Sequence, residues 1–152
     1  YAVLTQNIDM LHQKAGTANP VELHGTIQTS SCLSCGDQQP LETVVGLLEE
    51  ANDGVPRCKC GEPYKPDVVL FGEMLPEDAI ERAFELAASA DLLICVGTSL
   101  EVFPVAALPA ETAGAGGKVA LVTQGPTSWD DQAAVKLDGD VEEELVAVLA
   151  AL

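Results

Sequence analysis

Leu92-Leu93-Ile94-Cys95-Val96-Gly97-Thr98-Ser99 is the stretch whose reading decides the fold. An apolar run without alternation suits a strand of a parallel sheet covered on both faces. Gly97-Thr98-Ser99 then falls at the C-terminal end of that strand, where open parallel sheets bind ligands. The flanking sequence alternates in the same way. Pro76 to Ser89 reads as a helix with Pro near its start and an acidic first turn. Pro104 opens another helix, which Gly114-Ala115-Gly116-Gly117 breaks, and Lys118 to Val122 is a strand. Asp140 to Leu152 is a last helix, again acidic in its first turn. Strands alternating with helices predict an α/β fold built on a parallel sheet. The glycine-rich stretch precedes a strand, so it is a connection and not a phosphate loop.

Upstream, Tyr1 to Thr5 reads as a strand ending in a polar loop, and Asp9 caps a short helix through Lys14 that Gly16 closes. Pro20 to Leu23 is a short strand leading to His24-Gly25, and Thr26 to Ser31 is β-branched and polar. Apolar residues at Leu41, Val44, Val45, Leu47 and Leu48 make Pro40 to Ala51 an amphipathic helix, ended by Asn52-Asp53-Gly54. Val68-Val69-Leu70-Phe71 reads as a short buried strand.

Cys32 and Cys35 form C-x-x-C, and Cys58 and Cys60 form C-x-C. Two close thiol pairs separated by a loop are what a tetrahedral zinc site needs. Residues 31–63 therefore read as a small zinc-binding module inserted in a larger domain, residues 1–30 and 64–152. Cys95, inside the apolar run, is expected to be a buried core thiol. Five cysteines in 152 residues are too few for a disulfide scaffold and fit a reducing cytoplasm.

The net charge is −17, from 24 acidic and 7 basic residues. This argues against direct nucleic-acid binding, which needs Lys and Arg to neutralise phosphates. The excess of Asp and Glu, with many Ala and Val, is similar to proteins of salt-loving organisms, where salt would screen the self-repulsion. No stretch of 18 apolar residues exists to span a membrane. The chain begins at Tyr1 without Met and without a signal peptide pattern, and reads as a fragment.

Thr5-Gln6-Asn7-Ile8-Asp9, Gly97-Thr98-Ser99 and Thr123-Gln124 each follow a strand. Side-chain amides both donate and accept, which suits an amide or a ribose, and the agreement of these segments points to a nucleotide. His24 is open to two readings, a general base or a satisfied structural histidine. His12, in a polar helix, reads as a surface residue.

Five motifs occur in the order seen in sirtuins, the NAD-dependent protein-lysine deacylases. They are the Thr5-to-Asp9 segment, Glu22-Leu23-His24-Gly25, the paired cysteines, Lys65-Pro66-Asp67-Val68-Val69-Leu70-Phe71-Gly72-Glu73, and Gly97-Thr98-Ser99-Leu100-Glu101-Val102-Phe103-Pro104. The chain resembles that family over essentially its whole length. The resemblance implies a Rossmann-like domain with a small zinc module, the cysteines Cys32, Cys35, Cys58 and Cys60 holding zinc, and NAD meeting an acylated-lysine protein or peptide in a cleft. Gln6, Asn7, Ile8 and Asp9 would surround the nicotinamide and its ribose, and Asn7 would act at the first chemical step. His24 would be the base that activates the ribose hydroxyl. Gly97, Thr98, Ser99, Thr123, Gln124 and Val141 would lie along the nucleotide. The peptide would add as a strand between Phe71-Gly72-Glu73 and Glu101-Val102-Phe103, with Val69 and Phe71 lining the lysine channel. The products would be nicotinamide, deacylated lysine and O-acyl-ADP-ribose.

Three departures from the family pattern stand out. Thr123 replaces the usual Asn, and C-x-C is one residue shorter than the commonest second pair. Nothing corresponds to the Gly-Ala-Gly-x-Ser segment upstream of Thr-Gln-Asn-Ile-Asp. The chain is therefore expected to be the C-terminal portion of a cytoplasmic deacylase, its Rossmann-like sheet incomplete at the N-terminus and its NAD site incomplete, inactive or nearly so alone. Two alternatives remain, a catalytically inactive zinc-binding interaction module and a protein ADP-ribosyltransferase. The presence of Gln6, Asn7, Asp9 and His24 together argues against the first.

Overall fold

The computed structural model describes residues 1–152, which divide into two compact units, Tyr1–Ala79 and Ile80–Leu152. In the first unit, β1 (Leu4–Thr5) and β2 (Val21–Glu22) pair in parallel, Leu4 opposite Val21. The connection carries α1 (Leu11–Lys14), whose first amide donates to Asp9 Oδ1 at 2.9 Å. Gly16 follows with φ 84°, as expected of a helix stop.

A second, antiparallel sheet has β3 (Gly25–Cys32) between β4 (Gln38–Pro40) and β5 (Tyr64–Val68). The α2 helix (Leu41–Glu50) falls within a residue of its expected bounds. It buries Val44 against Cys32, Cys58 and Tyr64, with Leu47 packed alongside. Full burial of a valine stabilises by about 1.5–3 kcal/mol, so one turn of this helix is a substantial tie to the cysteine cluster.

The expected strand at Val68–Phe71 lies elsewhere. The ladder is Tyr64–Val68, and the residues after it leave the sheet. Val69 N donates to His24 O at 2.9 Å, and Glu73 N then closes a turn on Leu70 O at 3.0 Å, with Gly72 at φ 89°. Lys65 and Pro66 made the true strand hard to read, since Pro removes a ladder donor.

Gly25 is required by the facing strand. Its φ is 72°, and a Cβ there would sit 2.1 Å from the Asp67 carbonyl oxygen. The backbone that approaches is the facing strand, since Gly25 pairs with Val68. Gly25→Ala is expected to destabilise this unit by about 3 kcal/mol, from left-handed backbone strain plus overpacking. Urea unfolding with wild-type and variant midpoints coinciding would contradict this.

In the second unit, β6 (Leu92–Val96), β7 (Lys118–Val122) and β8 (Val135–Leu137) form a parallel sheet in the order β6-β7-β8. Leu92 pairs with Lys118, and Val96 with Val122. The α3 helix (Glu77–Ser89) buries Ala83 and Ala87. A 3-10 turn (Val105–Ala107) leads into α4 (Leu108–Gly114), and Thr112 Oγ1 donates to Ala87 O at 2.8 Å, satisfying a buried hydroxyl. The Gly114–Gly117 stretch is the connection from α4 to β7, as expected.

Within residues 1–152, the expectation that Leu92–Val96 is covered on both faces is met on one face only. Leu92, Ile94 and Val96 are 53%, 49% and 42% exposed, whereas Val119, Leu121 and Val122 of β7 are at most 3% exposed. Within these residues β6 borders only β7, whereas β7 lies between β6 and β8. The inner face of β6 does reach a core of Cys95, Leu100, Val119, Leu121 and Trp129. Burial pushes the Cys95 thiol up to about 11, so it is an inert core residue, as expected. The α5 helix (Val141–Ala151) is capped by Asp140, whose side chain accepts from the amides of Glu142 and Glu143. No helix is long and apolar enough to cross a membrane.

Candidate active site and metal centre

The polar segment after β1 is shaped by Thr5. This residue is buried, its Oγ1 accepts from Asn7 N at 3.1 Å, and its carbonyl accepts from Leu23 N at 2.9 Å. That last bond carries the chain from Leu23, 1% exposed, into His24 beside Gln6. His24 Nδ1 lies 3.1 Å from Gln6 O. A carbonyl only accepts, so Nδ1 carries the proton, and in the neutral ring Nε2 keeps a free lone pair. The His24 carbonyl is held in turn by Val69 N. Gln6, Ile8 and His24 are half-buried, and Asn7 and Asp9 are exposed. Asp9 Oδ1 is engaged by the Leu11 amide at the start of α1.

The segment expected to meet the peptide follows β5. Val69 is half-buried, Phe71 is fully exposed, and Gly72 and Glu73 complete the turn.

In the second unit, the strand ends of β6 and β7 present two loops at one edge of the sheet. Gly97 (φ 60°) donates to Val122 O at 3.0 Å, and Thr98 Oγ1 accepts from Leu100 N. Leu100 is buried at φ 57°, and its carbonyl accepts from Ser128 Oγ at 2.9 Å. Ser99 is exposed, as is Val102. After β7, Thr123 is buried and its amide donates to Leu137 O, leaving Gln124 exposed. Gly125 is clamped on both sides, by Asp138 Oδ1 on its amide and by Lys136 Nζ, 2.6 Å from its carbonyl. Lys136 also pairs with Asp130. Hydrogen bonds from Thr127, then Lys136, hold the Asp130 carboxyl below its usual range. Val141, at the start of α5, is half-buried. Ser128, Asp130 and Lys136 carry no obvious motif. Only the Thr127-x-x-Asp130 spacing, similar to a helix cap, signals a braced turn.

The four paired cysteines converge. Their sulfurs all lie within 4.8 Å of one another, with Cys32–Cys60 and Cys35–Cys58 at 3.5 Å. These separations are too long for a disulfide, with its bond of about 2.05 Å. They match the edges of about 3.8 Å of a tetrahedron with metal–sulfur bonds of about 2.3 Å. The four residues thus fit a closed, structural zinc site. Each pair sits on a tight turn. Gly36 N donates to Cys32 O and Gly61 N to Cys58 O, with both glycines at positive φ. The short C-x-C spacing is accommodated by that second turn. The Cys60 amide draws the Cys58 thiol down to about 7, while the neighbouring sulfurs outweigh the Asp37 amide and push Cys35 up to about 12. Four thiols this close cannot all ionise without a cation between them.

The sequence matches the Sir2 family model over residues 1–104. The chain belongs to the Sir2 family. A NAD-dependent protein deacetylase of Thermotoga maritima is 43% identical over 93% of this chain and 57% of its own length. One from Haloarcula marismortui is 44% identical over 99% of this chain and 58% of its own. Among solved structures, one described as "Sir2-p53 peptide-NAD+" superposes with a TM-score of 0.94 at 41% identity, covering 99% of this chain and 62% of that one. Sir2Tm bound to a propionylated peptide gives a TM-score of 0.94 at 42% identity, covering 99% and 63%. This Sir2 chain therefore spans a little under three fifths of the length of these curated relatives.

Proposed function

We propose that the protein is a NAD-dependent protein-lysine deacylase that releases nicotinamide, deacylated lysine and O-acyl-ADP-ribose. The observation that carries this is the hydrogen bond from His24 Nδ1 to Gln6 O, which leaves Nε2 as the only ring nitrogen able to take a proton. Bound NAD would supply nicotinamide as leaving group and the ribose that receives the acyl group. His24 would take the proton of the ribose hydroxyl at Nε2. Asn7 would act at the first step, with Gln6, Ile8 and Asp9 around the nicotinamide ribose. Gly97, Thr98, Ser99, Thr123, Gln124 and Val141 would hold the nucleotide. Val69, Phe71, Gly72 and Val102 would touch the acyl-lysine peptide, and Glu73 would shape that surface.

Residues 31–63 would form the zinc-binding module, inserted between residues 1–30 and 64–152. Zinc would bind Cys32, Cys35, Cys58 and Cys60 and brace the module without entering the chemistry. The free cysteines suit a reducing, cytoplasmic setting. The direct test is nicotinamide release by the full-length protein, which should depend on an acetyl-lysine peptide. Release that is equally fast without the peptide would contradict the reading.

The acidic composition would be a salt adaptation. The melting temperature should then rise between dilute buffer and molar potassium chloride, because counterions screen a net charge of −17. Chloride and sulfate should be compared at equal ionic strength to separate screening from salting-out. A melting temperature that stays flat in chloride would sink the idea.

A further inference from the structure

We propose that Lys65 and Glu73 are positioning residues that lock the Val69–Gly72 turn in the shape that receives an acyl-lysine peptide, an inference that rests on the deacylase reading above. The turn carries three apolar side chains in the open, Leu70 at 55%, Phe71 at 106% and Met74 at 90% exposure. Polar side chains hold the backbone of this turn. Lys65 does so from inside β5. Its ammonium is 2.9 Å from Val68 O, 2.9 Å from Glu73 Oε2 and 3.4 Å from Pro66 O, which uses all three of its hydrogens. Glu73 Oε2 also accepts from Leu70 N at 2.9 Å, while Glu73 N donates back to Leu70 O at 3.0 Å. The turn is thus closed twice between the same two residues, once by backbone and once by side chain, and Lys65 ties the closure to the end of the strand.

The carboxylate is consequently engaged within the chain and is a poor candidate for binding peptide directly. The Leu70 amide, then the Lys65 ammonium, hold its carboxyl below the usual range. The pair is partly shielded, with Lys65 25% and Glu73 41% exposed, so it is less screened than a fully exposed ion pair. Backbone pairing reads the shape of an edge, and a turn held at both ends has less ordering to lose when a peptide adds to it.

The test compares Lys65→Met, Glu73→Ala, the double variant and Lys65→Arg in the full-length protein, with an acetyl-lysine peptide and NAD. KM for the peptide should rise about 5- to 20-fold in both single variants, on the scale of losing a charge-assisted hydrogen bond. KM for NAD and kcat should stay within about twofold, and Lys65→Arg should restore most of the peptide KM. The double variant should be no worse than either single, because the two residues form one unit. Hydrogen exchange at the Leu70 amide should accelerate in Glu73→Ala. A peptide KM that is unchanged, or that rises together with the KM for NAD, in folded variants of an active protein would overturn the inference alone. Absence of peptide-dependent turnover in the wild type would overturn the deacylase reading instead. The Leu70 exchange would still decide the clasp, since an unchanged rate in Glu73→Ala refutes it.

Discussion

His24→Ala should lower deacylation by the full-length protein about 10²- to 10⁴-fold, the scale of losing a positioned general base. The effect should fall on one part of the reaction. Nicotinamide exchange needs only the first bond cleavage, and NAD binding precedes the proton transfer assigned to Nε2. Both should survive far better than product formation. Asn7→Ala should depress exchange and deacylation together, because the role proposed for Asn7 lies at the first step. Asn7 directly follows Gln6, whose carbonyl orients the imidazole, yet the two variants should separate kinetically. Equal losses of exchange and deacylation in the two variants would refute this division of labour. An unchanged rate in His24→Ala would leave the hydrogen bond to Gln6 as a purely structural one.

Removing the metal should have the largest effect on stability. Zinc should bind at one to one stoichiometry, and Cys58→Ala should lower metal content and unfold the cysteine turns together with β4 and α2. Structural zinc binding is folding free energy, with about 10–16 kcal/mol of apparent binding energy at stake in small metal-dependent folds. The packing shows why the loss would spread. Cys32 and Cys58 share a core with Val44 and Tyr64, so the sulfurs are also part of the apolar contacts. Cys95→Ala should leave metal content unchanged, because Cys95 packs in the separate core with Leu121 and Trp129. Reduced, freshly purified protein free of zinc by metal analysis would contradict the assignment, as would a Cys58→Ala variant with full metal content.

Much of this could be read from the chain. The four cysteines were legible because metal ligands come in local pairs, and only the closure of one pair on the other needs the fold. The helices at Leu41–Glu50 and Glu77–Ser89 were legible from apolar spacing and end signals. What stayed hidden depends on partners far away in sequence. Gln38–Pro40 and Val135–Leu137 are strands only because β3 and β7 lie beside them. Tyr64–Val68 carries two charges and a proline that local propensity counts against a strand. The site divided in the same way. His24 was visible as a candidate, but its tautomer comes from a carbonyl 18 residues away. Lys65 and Glu73 looked like motif ends, and only the turn brings them together.

The measurement that bears most directly on the deacylase assignment follows the acyl group itself. The full-length protein is incubated with NAD and a peptide bearing an isotopically labelled acetyl-lysine, and the products are resolved by mass spectrometry. The label should leave the peptide and appear on ADP-ribose as an ester, one equivalent for each nicotinamide released. Label remaining on the peptide while ADP-ribose becomes attached to protein would contradict the account and identify an ADP-ribosyltransferase.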